Sequence, residues 1–206
     1  MISPAPRILV ASGNRGKVNE FRKMLASLPV QLLDLEDFPD IGTVDEVGDT
    51  FGENARLKAV GYSLQAGIST LADDSGLEVD ALYGAPGVRS ARYAGEAAPE
   101  SMRIQKLLQN LASVSRERRS ARFVCALVLT NGLGDVLTTA TGICEGAIAE
   151  SPRGVGGFGY DPLFVPKGYS ETFGELSNED KNQLSHRAQA LNIMIEFISR
   201  NLSLLS

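Results

Sequence analysis

The stretch Leu71-Ala72-Asp73-Asp74-Ser75-Gly76-Leu77-Glu78-Val79-Asp80 constrains this chain more than any other, because a short apolar lead through Ile68, Thr70 and Leu71 runs straight into two adjacent carboxylates and a glycine. That order predicts a strand that carries acid groups to its end and breaks there, with residues 78–82 forming a second, paired strand. Side chains alternate across a strand, so Asp73 and Asp74 are expected to face opposite ways, with only one of them entering any given cleft. Two chemistries fit. Acids at a strand end can hold a metal ion, or they can cap backbone N–H groups in an Asx-type turn. The decapeptide alone leaves both open.

At 206 residues, 43% hydrophobic and 22% charged, the chain can bury a substantial core. Its net charge of −5 argues against a nucleic-acid polymer as partner, because polymer binding draws on a basic surface. A small anionic ligand needs only a few cations in one pocket, and Lys17, Lys58, Lys181 and Arg187 are candidates. No apolar run approaches the roughly 18 residues of a membrane span, and Met1-Ile2-Ser3-Pro4-Ala5-Pro6 has no apolar signal core. A cytoplasmic location away from membranes is therefore expected. Cys125 and Cys144 sit in apolar, strand-like contexts that suit buried thiols better than a disulfide or metal site.

Read in order, Arg7-Ile8-Leu9-Val10-Ala11 is an apolar run that suits a buried strand. Ser12-Gly13-Asn14-Arg15-Gly16-Lys17 follows, and then Val18, Phe21, Met24, Leu25 and Leu28 recur at helical spacing. A strand, a polar glycine loop and a helix N-terminus make a phosphate cradle, although the Walker spacing is incomplete. The other reading is an ordinary turn with Lys17 in water. Residues 31–35 read as a second strand. Asp45-Glu46-Val47-Gly48-Asp49 packs three carboxylates together, which taken alone reads as a solvated loop. Thr50 or Asp49 then caps a helix from about Phe51 to Gln65. Asn54 and Lys58, four apart, share one face of it.

Residues 84–95 read as a Gly/Pro loop carrying Arg89, Arg92 and Tyr93, and residues 101–111 as a helix with Ile104, Leu107, Leu108 and Leu111 inward. Residues 113–120 read as a basic connector with its arginines in water. Phe123-Val124-Cys125-Ala126-Leu127-Val128-Leu129 is an apolar strand, turned by Asn131-Gly132-Leu133-Gly134-Asp135 into strands at 136–140 and 142–149. Arg153-Gly154-Val155-Gly156-Gly157-Phe158-Gly159-Tyr160-Asp161-Pro162 combines glycines that admit a ligand with aromatics that bind its flat face or fill the core. A last helix opens at Leu176 with Ser177 as cap; Leu184, Leu191, Ile195, Ile198 and Leu202 form its buried stripe, and Lys181, Ser185 and His186 stand off it, with Arg187 beside them. A single histidine makes a zinc site implausible. The element order predicts a single domain over residues 1–206, of α/β class, with a mixed twisted central β-sheet flanked by helices.

Six segments, in this order, resemble one family: Ser12 to Lys17; Thr50-Phe51-Gly52-Glu53-Asn54-Ala55 with Lys58; Ala72 to Leu77; Gly87-Val88-Arg89-Ser90-Ala91-Arg92-Tyr93; Gly157-Phe158-Gly159-Tyr160-Asp161-Pro162; and Ser185-His186-Arg187. They are similar to the signatures of the inosine/xanthosine triphosphate pyrophosphatases, the Ham1-like enzymes that act on non-canonical purine nucleotides. The resemblance implies two lobes with the active-site cleft between them. It also implies hydrolysis of ITP, dITP and XTP to the monophosphate and pyrophosphate, with Mg²⁺, by a homodimer. On the same resemblance Asp74 is the general base and a Mg²⁺ partner, and Glu46, or Asp45 in its place, is the second acid at the metal. Ser12, Gly13, Asn14, Arg15, Gly16, Lys17 and Lys58 hold phosphates, and Ser75 contacts substrate. Phe158 stacks on the purine, Gly159, Tyr160 and Asp161 line the base pocket, and Lys181, His186 and Arg187 read the 6-oxo edge or clamp phosphate. Arg89, Arg92 and Tyr93 match as support or contact. Two competing readings are a Maf-like pyrophosphatase acting on other modified nucleotides and a non-catalytic nucleotide-binding module.

Overall fold

The computed structural model describes residues 5–205. Six strands form one sheet: Arg7–Ala11 (β1), Gln31–Asp34 (β2), Ser69–Val79 (β3), Ser120–Thr130 (β4), Val136–Ile148 (β5) and Phe164–Pro166 (β6), in the order β2-β1-β3-β4-β5-β6. β1 is parallel to both neighbours, with Ile8 opposite Leu32 and Ser69. β6 is antiparallel to β5. The start of β4 meets the end of β3 where Arg122 pairs with Glu78, and its end meets the start of β3 where Thr130 donates to the Thr70 carbonyl. Those two strands are therefore antiparallel, and the sheet is mixed. The helices are Arg15–Leu25 (α1), Phe51–Ala66 (α2), Glu100–Asn110 (α3), Asn178–Leu184 (α4) and His186–Arg200 (α5). None of the described helices is long and apolar enough to cross a membrane.

The chain divides into two compact units. One comprises the described residues up to Asp74, Cys125–Thr141 and the described residues from Ala188 onward; the other comprises Ser75–Val124 and Gly142–Arg187. The first unit's core joins Ile8 and Val10 of β1, Phe21 and Leu25 of α1, Leu127 and Leu129 of β4, and Leu191, Met194 and Ile198 of α5. The second is built on Leu77 and Val79 of β3, Leu107 and Leu111, Phe123 and a ring cluster of Phe164 and Phe173. Cys125 and Cys144 are buried free thiols, as their contexts predict.

Several expectations need correction. β3 does not break after the paired acids but continues to Val79 as one strand. Leu71 and Ala72 are fully buried before the acids and Leu77 and Val79 after them, so the burial pattern carries the strand through Gly76. β5 likewise runs unbroken through Thr141, because the every-second-residue burial of Ala140, Gly142 and Cys144 continues across it. Residues 87–92 of the Gly/Pro loop form a 3-10 turn. Arg119, expected in water, is buried and donates to the carbonyls of Leu111, Val114 and Ala149. It closes the open C-terminal carbonyl end of α3. The last helix is two: Ser185 is extended (φ −66°, ψ 154°), ending α4 before α5 begins at His186. Consequently Leu184 packs in the second core while Leu191 and Ile198 pack in the first.

Candidate active site

The acidic segment before α2 has neither helix nor strand, yet it is pinned along that helix from end to end. Gly42 exchanges two hydrogen bonds with the Gln65 amide. The Val44 N–H donates to the Tyr62 hydroxyl at 3.4 Å, and Glu46 Oε2 pairs with Lys58 Nζ at 3.1 Å. The Gly48 N–H donates to Asn54 Oδ1 at 2.8 Å, and Glu53 accepts from the N–H groups of Asp49 and Thr50. The segment thus advances two residues for each turn of α2 it passes. This matches the geometry, since two extended residues span about 6.6 Å and four helical residues about 6 Å.

Alternation then turns Val44, Glu46 and Gly48 toward the helix and Thr43, Asp45, Val47 and Asp49 to solvent, where all four are exposed. Close approach requires glycine at two points. A Cβ on Gly61 would lie 2.7 Å from Val44 Cγ2, and one on Gly48 would lie 2.6 Å from Glu53 Cβ. Register therefore separates the two acids that sequence left as alternatives: Glu46 faces α2 and Asp45 faces water.

Lys58 Nζ is shared. Besides Glu46 it lies 3.7 Å from Asp74 Oδ1, and Asp74 Oδ2 accepts from Asn54 Nδ2 at 3.2 Å. Asp73 Oδ2 pairs with Lys17 Nζ at 2.8 Å. Strand alternation is visible in these nearest partners, but not in the field: Asp73 and Asp74 both act on Lys58, and Lys17 acts on Asp74. Burial pushes the Asp74 carboxyl above the ordinary carboxylate range; Lys58 and Lys17 draw it back down, and Glu46 and Asp73 add to the rise. Burial alone would lower the Lys58 ammonium, but Asp73, Asp74 and Glu46 together raise it, so it stays charged.

Among the described residues, no three His, Cys, Asp or Glu side chains are gathered as a complete metal site. Glu46 and Asp74, both within reach of one ammonium, nonetheless form a two-carboxylate set. A magnesium-like ion fits such a set, because it takes one or two carboxylates and fills its remaining positions with waters and phosphate oxygens.

The glycine loop between β1 and α1 is solvent-accessible. Asn14 caps α1 by accepting the Lys17 N–H at 3.1 Å, and Ser12 Oγ accepts the Asn14 N–H at 3.3 Å. Arg15 turns aside to an exposed pair with Glu36, whereas Lys17, one helical residue beyond Gly16, reaches the acids.

In the second unit, Asp161 Oδ2 accepts from the Phe158 N–H at 2.8 Å and from Lys181 Nζ at 2.7 Å, both charges being buried. Phe158 is half-buried, with the Lys181 ammonium 4.8 Å and the Arg187 guanidinium 5.7 Å from its ring centre. Gly157 (φ 74°) has no room for a Cβ beside the Asp161 carboxylate. Arg187 Nη2 donates to Ser75 Oγ at 2.9 Å, and Ser75 is the residue after Asp74 in β3. Lys181, Ser185, His186 and Arg187, read from sequence as standing off the buried stripe, are all buried. His186 lies flat on Phe123, ring centres 4.8 Å apart. Tyr160 is core: its hydroxyl donates to the Ser90 carbonyl and burial raises its pKa. Gly159, at φ 65°, makes the bend between Phe158 and Tyr160.

Sequence reasoning put Asn54 and Lys58 on one helix face that could point at the same site as Glu46, without finding the bond from Asn54 to Asp74, and gave Asp73 no partner. The Thr50/Glu53 capping box was the available signal for the first, since it fixes which residues of α2 repeat on one face.

The Ham1 family model matches residues 8–197. A protein of Geobacillus kaustophilus described as a dITP/XTP pyrophosphatase is 51% identical over 89% of this chain and 90% of its own length. One from Bacillus anthracis with the same description is 47% identical over 93% and 96%. Among solved structures, a HAM1 protein from Coxiella burnetii superposes with a TM-score of 0.87 at 40% identity, covering 95% of this chain and 99% of that one. The Staphylococcus aureus Ham1 protein does so with 0.84 at 37% identity, covering 94% and 98%.

Proposed function

Because this chain belongs to the Ham1 family, we propose that it is a nucleoside triphosphate pyrophosphatase that hydrolyses ITP, dITP and XTP to the monophosphate and pyrophosphate. The observation that carries this reading is the cluster in which a single ammonium, Lys58, lies between Glu46 and buried Asp74, with Lys17 alongside on Asp73.

Asp74 is the general base. Its environment strengthens its hold on a proton, which suits a carboxylate that must take one from water. Lys17 and Lys58, with Ser12, Gly13, Asn14, Arg15 and Gly16 of the exposed loop, neutralise and orient the phosphates. Glu46 and Asp74 hold the divalent ion, which when bound supplies Lewis-acid stabilisation of the phosphoryl oxygens. Phe158 offers its ring to the purine, and Ser75, Gly159, Tyr160 and Asp161 shape the surroundings of the nucleoside. Lys181, His186 and Arg187 supply donors, and a 6-oxo purine presents an acceptor where adenine presents a donor. The family resemblance supports magnesium as the ion and a homodimeric assembly, and the hydropathy of the chain supports a cytoplasmic location.

A panel of ITP, dITP, XTP, GTP, ATP and UTP, with and without Mg²⁺, tests the reading through pyrophosphate release. Turnover is expected for the first three and only with the ion. ATP or UTP outrunning dITP favours the modified-nucleotide alternative. Binding of dITP without turnover favours the binding module.

A further inference from the structure

We propose that Asn54 is a positioning residue that sets the acidic segment and Asp74 relative to each other, and thereby fixes the spacing of the two carboxylates that hold the divalent ion. This deepens the function proposed above and rests on it. Asn54 is fully buried on α2. Its amide addresses two separate pieces of chain: Oδ1 accepts the Gly48 N–H at 2.8 Å, while Nδ2 donates to the Gly48 carbonyl at 3.3 Å and to Asp74 Oδ2 at 3.2 Å. Gly48 lies two residues beyond Glu46 in the pinned segment. One turn further along α2, Lys58 joins the same two pieces through Glu46 and Asp74.

The two links differ in kind. A divalent ion arriving at Glu46 and Asp74 competes with the Lys58 ammonium for the same carboxylate charge, whereas a neutral amide bond to Asp74 Oδ2 adds no charge and does not engage Oδ1. Asn54 is the link that can persist through ion binding. The chemistry demands an amide, because the reciprocal pair with Gly48 needs donor and acceptor on one side chain. A carboxylate cannot donate, and an alkyl group can do neither. Partners that orient metal-holding groups in this way commonly change metal affinity or activity by about 10–100-fold when removed.

The test compares wild type, Asn54→Leu and Gly48→Ala. It reads nucleotide-free Mn²⁺ binding by electron paramagnetic resonance, hydrogen exchange at the Gly48 amide in EDTA, thermal midpoint, and kcat and KM for dITP. Asn54→Leu should bind Mn²⁺ about 10–100-fold more weakly, exchange faster at Gly48, and lose kcat rather than gain KM. Gly48→Ala attacks the same contact from the other side, its Cβ pressing on Glu53 Cβ at 2.6 Å and Asn54 Oδ1 at 2.9 Å. It should give the same direction with Asn54 intact, and it decides the question if Asn54→Leu does not fold. Wild-type Mn²⁺ affinity in the folded variants overturns the positioning role, whatever the thermal midpoint does. A wild-type protein that neither binds Mn²⁺ nor hydrolyses dITP overturns the function itself, and the role of Asn54 with it.

Discussion

Replacing Asp74 with asparagine should abolish turnover and, at neutral pH, make the protein more stable. The carboxylate is buried, 3.7 Å from the Lys58 ammonium. At an effective dielectric constant near 20, that attraction is about 4 kcal/mol. Desolvation opposes it by several kcal/mol per ion, and Glu46 and Asp73 repel the same charge. Because the folded carboxyl is raised above its ordinary range, the unfavourable side wins.

The folded state therefore binds more protons than the unfolded state across that window. Stability from this group is present below the unfolded value and lost as pH rises through the folded one. At pH 7 the wild type bears the whole penalty and Asp74→Asn bears none, while Lys58 keeps Glu46 and Asp73 as partners. The gain should be about 1 kcal/mol, the usual size when a strained site is relieved, or roughly 2–4 °C in a chain of this length. Calorimetry in EDTA from pH 4 to 8 measures it. A variant that melts below wild type at neutral pH, or a gap that does not close as the pH falls toward the carboxylate range, refutes the reasoning.

Phe158→Ala should raise the KM for dITP more than it lowers kcat, since a stacking face supplies mainly binding; steady-state kinetics with an unchanged KM would make Phe158 a packing residue. Arg119→Ala should lower stability by about 2 kcal/mol, because it strips partners from buried carbonyls, and urea unfolding with no change in midpoint would contradict the capping role.

Where the local signal was clear, sequence and structure coincide: β1 is the apolar run Arg7–Ala11, α1 carries Val18, Phe21 and Leu25 at helical spacing, and α2 begins at its Thr50 cap. The misread strand boundaries share one cause. Gly76, after the paired acids, and Thr141 looked like breaks from their local polarity or lack of a side chain, but burial on either side decides the strand. Ser185 erred the other way, as the hydrophobic stripe ran through a residue whose extended backbone divides two helices. In the site, Lys17, Lys58 and the paired acids were legible as charges awaiting a partner. Their pairing was not, since Lys17 with Asp73 and Lys58 with Glu46 are contacts between segments far apart in sequence. Nor could composition tell Asp45 from Glu46; that distinction belongs to the register on α2.

The rung-for-turn match between the acidic segment and α2 makes that segment sensitive to parity rather than to length. Inserting one residue between Glu46 and the Gly48 anchor would exchange the inward and outward rows, presenting a different side chain to Lys58, whereas inserting two would restore the row and merely displace it by a turn. Tolerance to insertion before the helix should therefore alternate between odd and even, as it does in a paired strand and does not in an ordinary surface loop.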